Sequence, residues 1–229
     1  MSSLTASGFA AVPSAAAPQT TSKNTFATGD KTFLLNGKPF VVKAAEIHYP
    51  RIPRQYWEHR IKMCKALGMN TICIYIFWNI HEQCEGVYDF SGQNDVAEFC
   101  RLAKKNGMYV IVRPGPYVCA EWEMGGLPWW LLKKKDISLR EQDPYFMSSV
   151  DRFEKKVAEQ LAPLTIQRGG PIIMVQVENE YGSYGEDKAY ISDIRDTLRK
   201  YWDTPDAKTT LFQCDWNSNF EKNGLDDLT

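Results

Sequence analysis

The chain has 229 residues, of which 44% are hydrophobic and 24% charged, and its formal net charge is −1. This length is sufficient for one domain with a sizeable hydrophobic core and too short for two domains of usual size. The near-zero net charge argues against nucleic acid or an anionic membrane as partner, and no run of about 18 apolar residues predicts a transmembrane helix.

The first 30 residues differ from the rest of the chain. Most of them are small or polar, and the segment contains prolines but no long apolar run. Such a segment buries too little apolar surface to fold, so we predict a disordered arm over residues 1–30 and one folded unit over 31–229. Within the arm, TASGFAAVPSAAA resembles the end of a secretory signal, although the basic start and apolar centre of a signal are missing. A signal-peptide remnant is therefore the alternative interpretation, and it corresponds to a secreted or periplasmic protein.

The sequence shows no pattern that is typical of a metal site. None of its six cysteines forms a CxxC pair or stands near a histidine at ligand spacing. A structural zinc site is therefore not expected. Because most of the cysteines lie in apolar patterns, we predict buried free thiols.

After the arm, short apolar runs alternate with segments of helical periodicity. KTFLLNGKPFVV (31–42) has two apolar runs around Asn36-Gly37, which indicates a hairpin. Apolar residues at helical spacing, as at Trp57, Ile61 and Cys64, indicate the helices. The predicted helices are 54–67, 93–105, 145–168 and 187–202. The predicted strands are 40–49, 70–78, 108–118, 171–178 and 209–216.

This order, with continuously apolar strands, predicts an α/β fold whose parallel sheet is covered on both faces. Two architectures compete, an open doubly wound sheet and an eight-stranded barrel. The first strand-to-helix loops contain no GxGxxG or Walker pattern, which argues against a nucleotide-binding doubly wound sheet. Polar and aromatic residues follow all five strands, and in a barrel such loops converge on one centre. We therefore predict a (β/α)8 TIM barrel of which about the first five β/α units are present, preceded by the hairpin.

Several glutamates follow the predicted strands, beside asparagine, tyrosine and tryptophan. They are Glu46, Glu121, Glu123, Glu178 and Glu180. A single glutamate at a strand end usually forms an ion pair, caps a loop or is simply solvated. A sugar site needs this mixture, because aromatic faces stack on the sugar, amides and carboxylates hold hydroxyls, and a protonated carboxyl donates to the leaving oxygen. Glu178 and Glu180 would point to the same side of an ideal strand, so geometry alone does not choose between them.

Four segments resemble glycoside hydrolase family 35, the β-galactosidases, in the order expected for that family. They are EIHYPRIP (46–53), YIFWNIHE (75–82), RPGPYVCAEWEMGGLPWWL (113–131) and GGPIIMVQVENEYGSYG (169–185). The resemblance covers roughly residues 30–229. It implies a retaining exo-β-galactosidase that acts on carbohydrate with terminal β-galactose and uses no cofactor. Oligomeric state does not follow from it.

The resemblance also implies roles for individual residues. Glu180 matches the general acid/base, and Asn179 matches the neighbour that contacts the 2-hydroxyl of the sugar. Tyr75 matches a galactose-contacting tyrosine. Cys119, Ala120 and Glu121 match the segment that binds the galactose hydroxyls.

The remaining residues of these motifs have structural alternatives. For Glu178 we expect a structural ion pair, with Arg113 as the candidate partner. Trp122, Trp129 and Trp130 either wall the site or belong to a core or interface. His48 and His81 are interpreted as hydrogen-bonded residues at the barrel mouth, not as metal ligands.

The family's nucleophile lies on a strand-seven motif resembling SE(F/Y)WSGW, which these 229 residues lack. A retaining mechanism needs two carboxylates about 5 Å apart. We therefore expect the chain to be the N-terminal part of a longer β-galactosidase, with the nucleophile outside it and no activity of its own. The alternatives are another exo-β-glycosidase specificity, such as glucosamine, and a non-catalytic carbohydrate-binding fragment.

Overall fold

A computed structural model of the protein describes residues 24–228. It begins with a three-stranded antiparallel sheet of β1 (Phe26–Gly29), β2 (Thr32–Leu35) and β3 (Lys38–Phe40). The predicted Asn36-Gly37 turn joins β2 to β3, and both residues have positive φ, +52° and +74°. Asparagine and glycine tolerate this left-handed conformation best, which explains the tight turn.

The predicted arm ends earlier than residue 30. Strand β1 lies within the predicted arm, so the prediction of disorder is wrong for these residues. Phe26 is buried and stacks on Phe33 with ring centroids 5.4 Å apart. One phenylalanine in a polar stretch gives no periodic signal, and its strand is stabilised by a distant partner. Residues 1–23, which include the signal-like stretch, lie outside the described residues.

The main sheet has five parallel strands in the order β4-β5-β6-β7-β8. They are β4 (Ala44–Glu46), β5 (Thr71–Tyr75), β6 (Tyr109–Arg113), β7 (Ile172–Gln176) and β8 (Thr210–Phe212). Alternate residues face opposite sides. Ile72 and Ile74 pack under the helices, whereas Cys73 faces the small N-terminal sheet on the other side.

Seven helices accompany the strands in the described part of the chain. They are α1 (Trp57–Ala66), α2 (Trp78–His81), α3 (Val96–Lys105), α4 (Pro144–Leu161), α5 (Tyr181–Tyr184), α6 (Lys188–Trp202) and α7 (Asn217–Asn223). Asp95, Asp143 and Asp187 directly precede α3, α4 and α6 and accept hydrogen bonds from first-turn N–H groups of these helices. No helix in residues 24–228 has both the length and the apolar character needed to cross a membrane.

Several predicted elements end earlier than their apolar patterns do. The third predicted strand stops at Arg113 because the next three residues are Pro-Gly-Pro, which cannot continue a central strand. The predicted helix 145–168 ends at Leu161, where Ala162-Pro163 starts a 3-10 turn. The prediction of buried thiols holds for Cys100, but Cys84, Cys119 and Cys214 are exposed.

Candidate active site

Arg113, at the end of β6, connects the ends of the neighbouring strands. Its guanidinium donates to the Tyr75 hydroxyl and, over 2.6 Å, to Oδ1 of Asn179. A third contact joins Nη1 to Oε2 of Glu46 at 3.4 Å. The guanidinium carbon also lies 4.2 Å from the centroid of the Tyr75 ring. One cation therefore fixes side chains from β4, β5 and the loop after β7 at one edge of the sheet.

Tyr75 is one of the predicted site residues, and it lies beside Arg113 at the carboxyl end of β5. Burial raises the pKa of its hydroxyl, and the nearby Arg113 opposes that shift. The hydroxyl therefore stays protonated at neutral pH. A neutral hydroxyl both donates and accepts hydrogen bonds, which suits contact with a sugar hydroxyl.

The two glutamates after β7 point in different directions. The strand ends at Gln176, and Glu178 and Glu180 have φ values of +55° and +51°, so the ideal-strand geometry does not apply. Glu178 is fully buried, whereas Glu180 is exposed. The Glu180 N–H donates to the Cys214 carbonyl over 3.1 Å, which attaches this turn to the loop after β8. The structure thus separates two residues that the sequence pattern leaves equivalent.

Glu178 forms a buried ion pair with Arg140. Nε and Nη2 of Arg140 donate to the two carboxylate oxygens over 2.9 and 2.7 Å. The Tyr190 hydroxyl and the Asn179 N–H also donate to this carboxylate. Burial raises the pKa of the Glu178 carboxyl, and the Arg140 guanidinium opposes that rise.

The predicted ion pair of Glu178 is therefore present, but its partner is Arg140 and the predicted partner, Arg113, is wrong. Arg113 points towards Tyr75 and Asn179 at the strand ends. Arg140 instead reaches Glu178 from the loop before α4, and its Nη2 also donates to the Asn179 carbonyl over 2.8 Å. Arg140 thus holds the turn that carries Asn179 and Glu180.

Cys119, Ala120 and Glu121 form a strained left-handed turn after β6. Their φ values are +58°, +54° and +46°. Non-glycine residues adopt this conformation only where the surroundings enforce it, and such residues cluster at functional sites. Here Arg51 enforces it, since its Nη2 donates to the carbonyls of Ala120 and Glu121 over 2.9 and 2.8 Å. Ala120 is buried, and the side chains of Cys119 and Glu121 are exposed.

A cavity of about 440 Å³ opens beside Glu180. Of the six predicted site residues, Cys119, Asn179 and Glu180 line it. Tyr75 is joined to Asn179 through Arg113, but it is not among the described lining residues. The full described lining is Tyr117, Cys119, Arg140, Asn179, Glu180, Ser183, Tyr184, Trp216 and Asn219. Ala120 and Glu121, which follow Cys119 directly, are not among the described lining residues, and their carbonyls accept hydrogen bonds from Arg51.

Some of the tryptophan and histidine residues of the sequence motifs lie at the strand ends, and others lie in the core. Trp130 is fully buried against Trp78, whereas Trp122 packs on Phe77 with ring centroids 4.3 Å apart. His48 contacts Glu46 at the strand ends over 3.0 Å, as predicted.

His81 is not at the mouth. It is fully buried, its Nδ1 lies 2.8 Å from the Asp89 carbonyl, and burial lowers its pKa to about 4. Its ring is therefore neutral and belongs to the core. Within residues 24–228 no group of three or more His, Cys, Asp or Glu side chains is placed to hold a metal ion.

The role of Arg140 was not predicted from the sequence, and Arg113 was predicted to pair with Glu178 although it contacts Tyr75 and Asn179. Arg113 is the last residue of its strand, directly before Pro-Gly-Pro. A charged residue at the end of a strand could have indicated that it belongs to the site. Arg140 lies between β6 and α4 in a stretch without periodicity, so only the fold brings it to Glu178.

Comparison with known proteins finds similarity over most of the chain. The family described as "Glycosyl hydrolases family 35" matches residues 32–228. A β-galactosidase from Xanthomonas manihotis is 49% identical over 185 residues, which are 81% of this chain and 31% of that protein. The β-galactosidases of Mus musculus and Homo sapiens are 53% and 52% identical over 66% and 67% of this chain. The chain spans 24% and 23% of their lengths.

Solved structures show the same architecture at low sequence identity. An exo-β-1,4-mannosidase from Opitutaceae bacterium strain TAV5 matches with a TM-score of 0.61 at 15% identity, over 77% of this chain and 32% of that one. GH5_18 from Bifidobacterium longum matches with a TM-score of 0.56 at 14% identity, over 75% of this chain and 44% of that one. The five parallel β/α units are thus part of a TIM barrel, as predicted.

Proposed function

The chain belongs to glycosyl hydrolase family 35, and we propose that it supplies the acid/base half of a retaining exo-β-galactosidase. The substrate is a terminal, non-reducing β-D-galactose on an oligosaccharide or glycoconjugate. The β-galactosidase relatives support the galactose specificity. The single observation that carries the mechanism is the separation of the two glutamates, one buried in an ion pair and the other exposed in a cavity.

Glu180 is the proton donor in this proposal. Its side chain is exposed and it is the one carboxylate among the described lining residues of the cavity. A general acid must come within hydrogen-bond reach of the leaving oxygen, and an exposed carboxyl at the cavity wall meets that condition. Glu178 does not, because both its oxygens already accept hydrogen bonds in the core. After the galactose–aglycone bond breaks, the Glu180 carboxylate accepts a proton from the attacking water.

Asn179 and Tyr75 position the galactose. Nη2 of Arg113 and, over 3.3 Å, Nε2 of Gln176 donate to Oδ1 of Asn179. These contacts orient the amide so that its Nδ2 group is the donor offered to a sugar hydroxyl, the 2-hydroxyl in the family resemblance. A hydrogen bond of this kind contributes about 0.5–1.5 kcal/mol to binding, and more when it strengthens in the transition state.

The left-handed turn at Cys119, Ala120 and Glu121 supplies the remaining galactose contacts. Arg51 fixes two of its carbonyls, so the turn is held in shape before substrate arrives. Preorganised groups lose little conformational freedom on binding. The exposed Glu121 carboxylate is the group proposed to hold galactose hydroxyls.

Retention requires a nucleophilic carboxylate about 5 Å from the acid. We place this nucleophile outside the 229 residues, because the family resemblance puts it on a strand-seven motif that they lack. It follows that residues 1–229 made alone do not hydrolyse galactosides. We also propose export from the cytoplasm, on the signal-like composition of the N-terminal arm.

The test uses the full-length protein that carries this sequence. β-Galactosides, β-glucosides and β-glucosaminides with one shared leaving group are compared, and the anomer released first is identified by proton NMR. The proposal predicts the highest kcat/KM on the galactoside and initial release of β-galactose. A higher kcat/KM on another sugar would replace the specificity, initial release of α-galactose would replace the mechanism, and binding without turnover would indicate a carbohydrate-binding protein.

A further inference from the structure

Trp122 directly follows the left-handed turn Cys119–Glu121, and its side chain contacts three residues outside that turn. Its ring centroid lies 4.3 Å from that of Phe77 and 4.8 Å from the Arg51 guanidinium carbon. Its indole Nε1–H donates to Oδ1 of Asn79 over 3.0 Å. Arg51 follows β4, whereas Phe77 and Asn79 follow β5, so Trp122 attaches the turn to the ends of two neighbouring strands.

Two of these residues also hold the backbone on either side of Trp122. Nη2 of Arg51 donates to the Glu121 carbonyl over 2.8 Å, and Nδ2 of Asn79 donates to the Glu123 carbonyl over 3.2 Å. Asn79 therefore uses both ends of its amide on this segment, and Arg51 contacts both its ring and its backbone. The position of the Trp122 ring and the conformation of the neighbouring backbone are thus fixed together.

The segment that contains the turn is also closed on itself. The Val118 N–H donates to the Gly125 carbonyl over 2.8 Å, which joins the two ends of the loop. A Cβ on Gly125 would lie 1.9 Å from the Tyr117 ring, so this close approach requires glycine. A loop that is closed at its base and held by two side chains near its tip has little freedom to change shape.

The Glu121 carboxylate is the group of this loop that depends most on that rigidity. Its side chain is exposed, so packing does not fix its direction. The direction follows instead from the backbone, which has a φ of +46° at Glu121. A binding group has to be within a few tenths of an ångström of its productive position before substrate arrives, because ordering it later costs affinity.

We propose that Trp122 is a positioning residue, which Arg51 and Asn79 hold in place and which fixes the direction of the Glu121 carboxylate. This inference rests on the proposed function, in which Glu121 holds galactose hydroxyls. Trp122 acts through its neighbour in the chain and not through contact with the sugar. Its contribution to activity therefore disappears when the Glu121 carboxylate is removed.

The experiment is a double-mutant cycle in the full-length protein that carries this sequence, with dinitrophenyl β-galactoside as substrate. Trp122→Phe keeps an aromatic ring beside Phe77 but removes the hydrogen bond to Asn79. It should lower kcat/KM about tenfold in the wild-type background and less than about twofold in the Glu121→Ala background. The inhibition constant of free galactose should rise with the first loss, whereas partial misfolding lowers kcat and leaves that constant unchanged.

Trp129→Phe is the matched control, because it also removes one indole hydrogen bond, from Nε1 to the Gln83 carbonyl over 3.2 Å. It should leave kcat/KM and the galactose inhibition constant unchanged. A melting temperature for each variant shows that it is folded. If Trp122→Phe is not folded, Asn79→Leu takes its place in the cycle, because it removes the same bond from the other side.

The outcomes separate this inference from the proposed function. Equal losses in the wild-type and Glu121→Ala backgrounds keep the proposed function and overturn the inference, because Trp122 then acts without Glu121, as it does if it contacts the sugar itself. Wild-type kinetics for Trp122→Phe, or an unchanged galactose inhibition constant, also overturn it. A Glu121→Ala variant with wild-type kinetics overturns the role of Glu121 in the proposed function, and the inference with it.

Discussion

Replacing Arg140 by methionine tests the ion pair that holds the Asn179–Glu180 turn. Methionine keeps most of the apolar stem but removes the two hydrogen bonds to Glu178, at 2.9 and 2.7 Å, and the one to the Asn179 carbonyl, at 2.8 Å. The Arg140 and Glu178 side chains are only 7% and 0% exposed, so water does not replace the lost partner. Breaking such a buried pair from one side costs about 3–5 kcal/mol. That is a large part of a typical folding free energy of about 5–15 kcal/mol.

The loss of folding stability caused by Arg140→Met should depend on pH, and the pKa of Glu178 determines the direction of that dependence. Burial already raises the pKa of Glu178, and removing Arg140 takes away the main opposing charge. The folded state of the variant then binds a proton more tightly than the unfolded state does. Its free energy of unfolding therefore falls as pH rises above the pKa of an unfolded glutamate, about 4.3. The deficit relative to wild type should be larger at pH 7 than at pH 5.

The assay is urea unfolding followed by tryptophan fluorescence at pH 5 and pH 7. Arg152→Met is the matched control, because Arg152 pairs with Glu85 over 3.5 Å at the surface, where both side chains are nearly half exposed. Such surface pairs contribute about 0–1 kcal/mol. The double variant Arg140→Met/Glu178→Gln should recover part of the loss, since no buried carboxylate is left unpaired. A deficit below about 1 kcal/mol for Arg140→Met, or one that is no larger at pH 7, would show that Glu178 does not depend on Arg140 for its charge in the core.

Two further predictions concern a buried acid and the cation at the strand ends. Glu154 is fully buried, its carboxyl oxygens have no hydrogen-bond partner within the described residues, and burial raises its pKa to about 8. Its folded-state pKa exceeds the unfolded value, so stability should fall by up to about 1.4 kcal/mol per pH unit between about pH 4.5 and 8. Glu154→Gln should remove that slope in urea titrations across this range, and an unchanged slope would contradict the prediction. Arg113→Lys should lower kcat/KM on β-galactosides about 10- to 100-fold, because a single ammonium cannot hold three partners in fixed geometry. Wild-type kinetics for this variant would show that the partners keep their positions without the guanidinium.

The fold could be predicted from the sequence where local patterns and tertiary structure agree. The five parallel strands and four crossover helices follow from apolar runs and helical periodicity, and Asn36-Gly37 correctly marked a turn. Boundaries failed where the sequence contains proline, as at Ala162-Pro163, because apolar residues continue beyond the hydrogen-bonded element. Strand β1 was missed because a single phenylalanine anchors it from a distance.

The candidate site was predictable only in part. The strand-end motifs indicated Asn179 and Glu180, and the cavity brings these together with Cys119. The different environments of Glu178 and Glu180 could not be derived, because two positive φ values replace the regular alternation of a strand. The partner of Glu178 could not be predicted either, because Arg140 is 38 residues away in the chain and only folding places it beside Glu178.

Because Glu180 donates the proton to the leaving group in the proposed mechanism, the loss of activity in Glu180→Gln should depend on that group. The full-length variant is assayed on a series of β-galactosides whose leaving groups range from alkyl alcohols to dinitrophenol. A good leaving group needs little protonation. If Glu180 is the proton donor, the loss is large on the alkyl galactosides and shrinks steadily towards dinitrophenyl galactoside. An equal loss across the whole series would contradict this role.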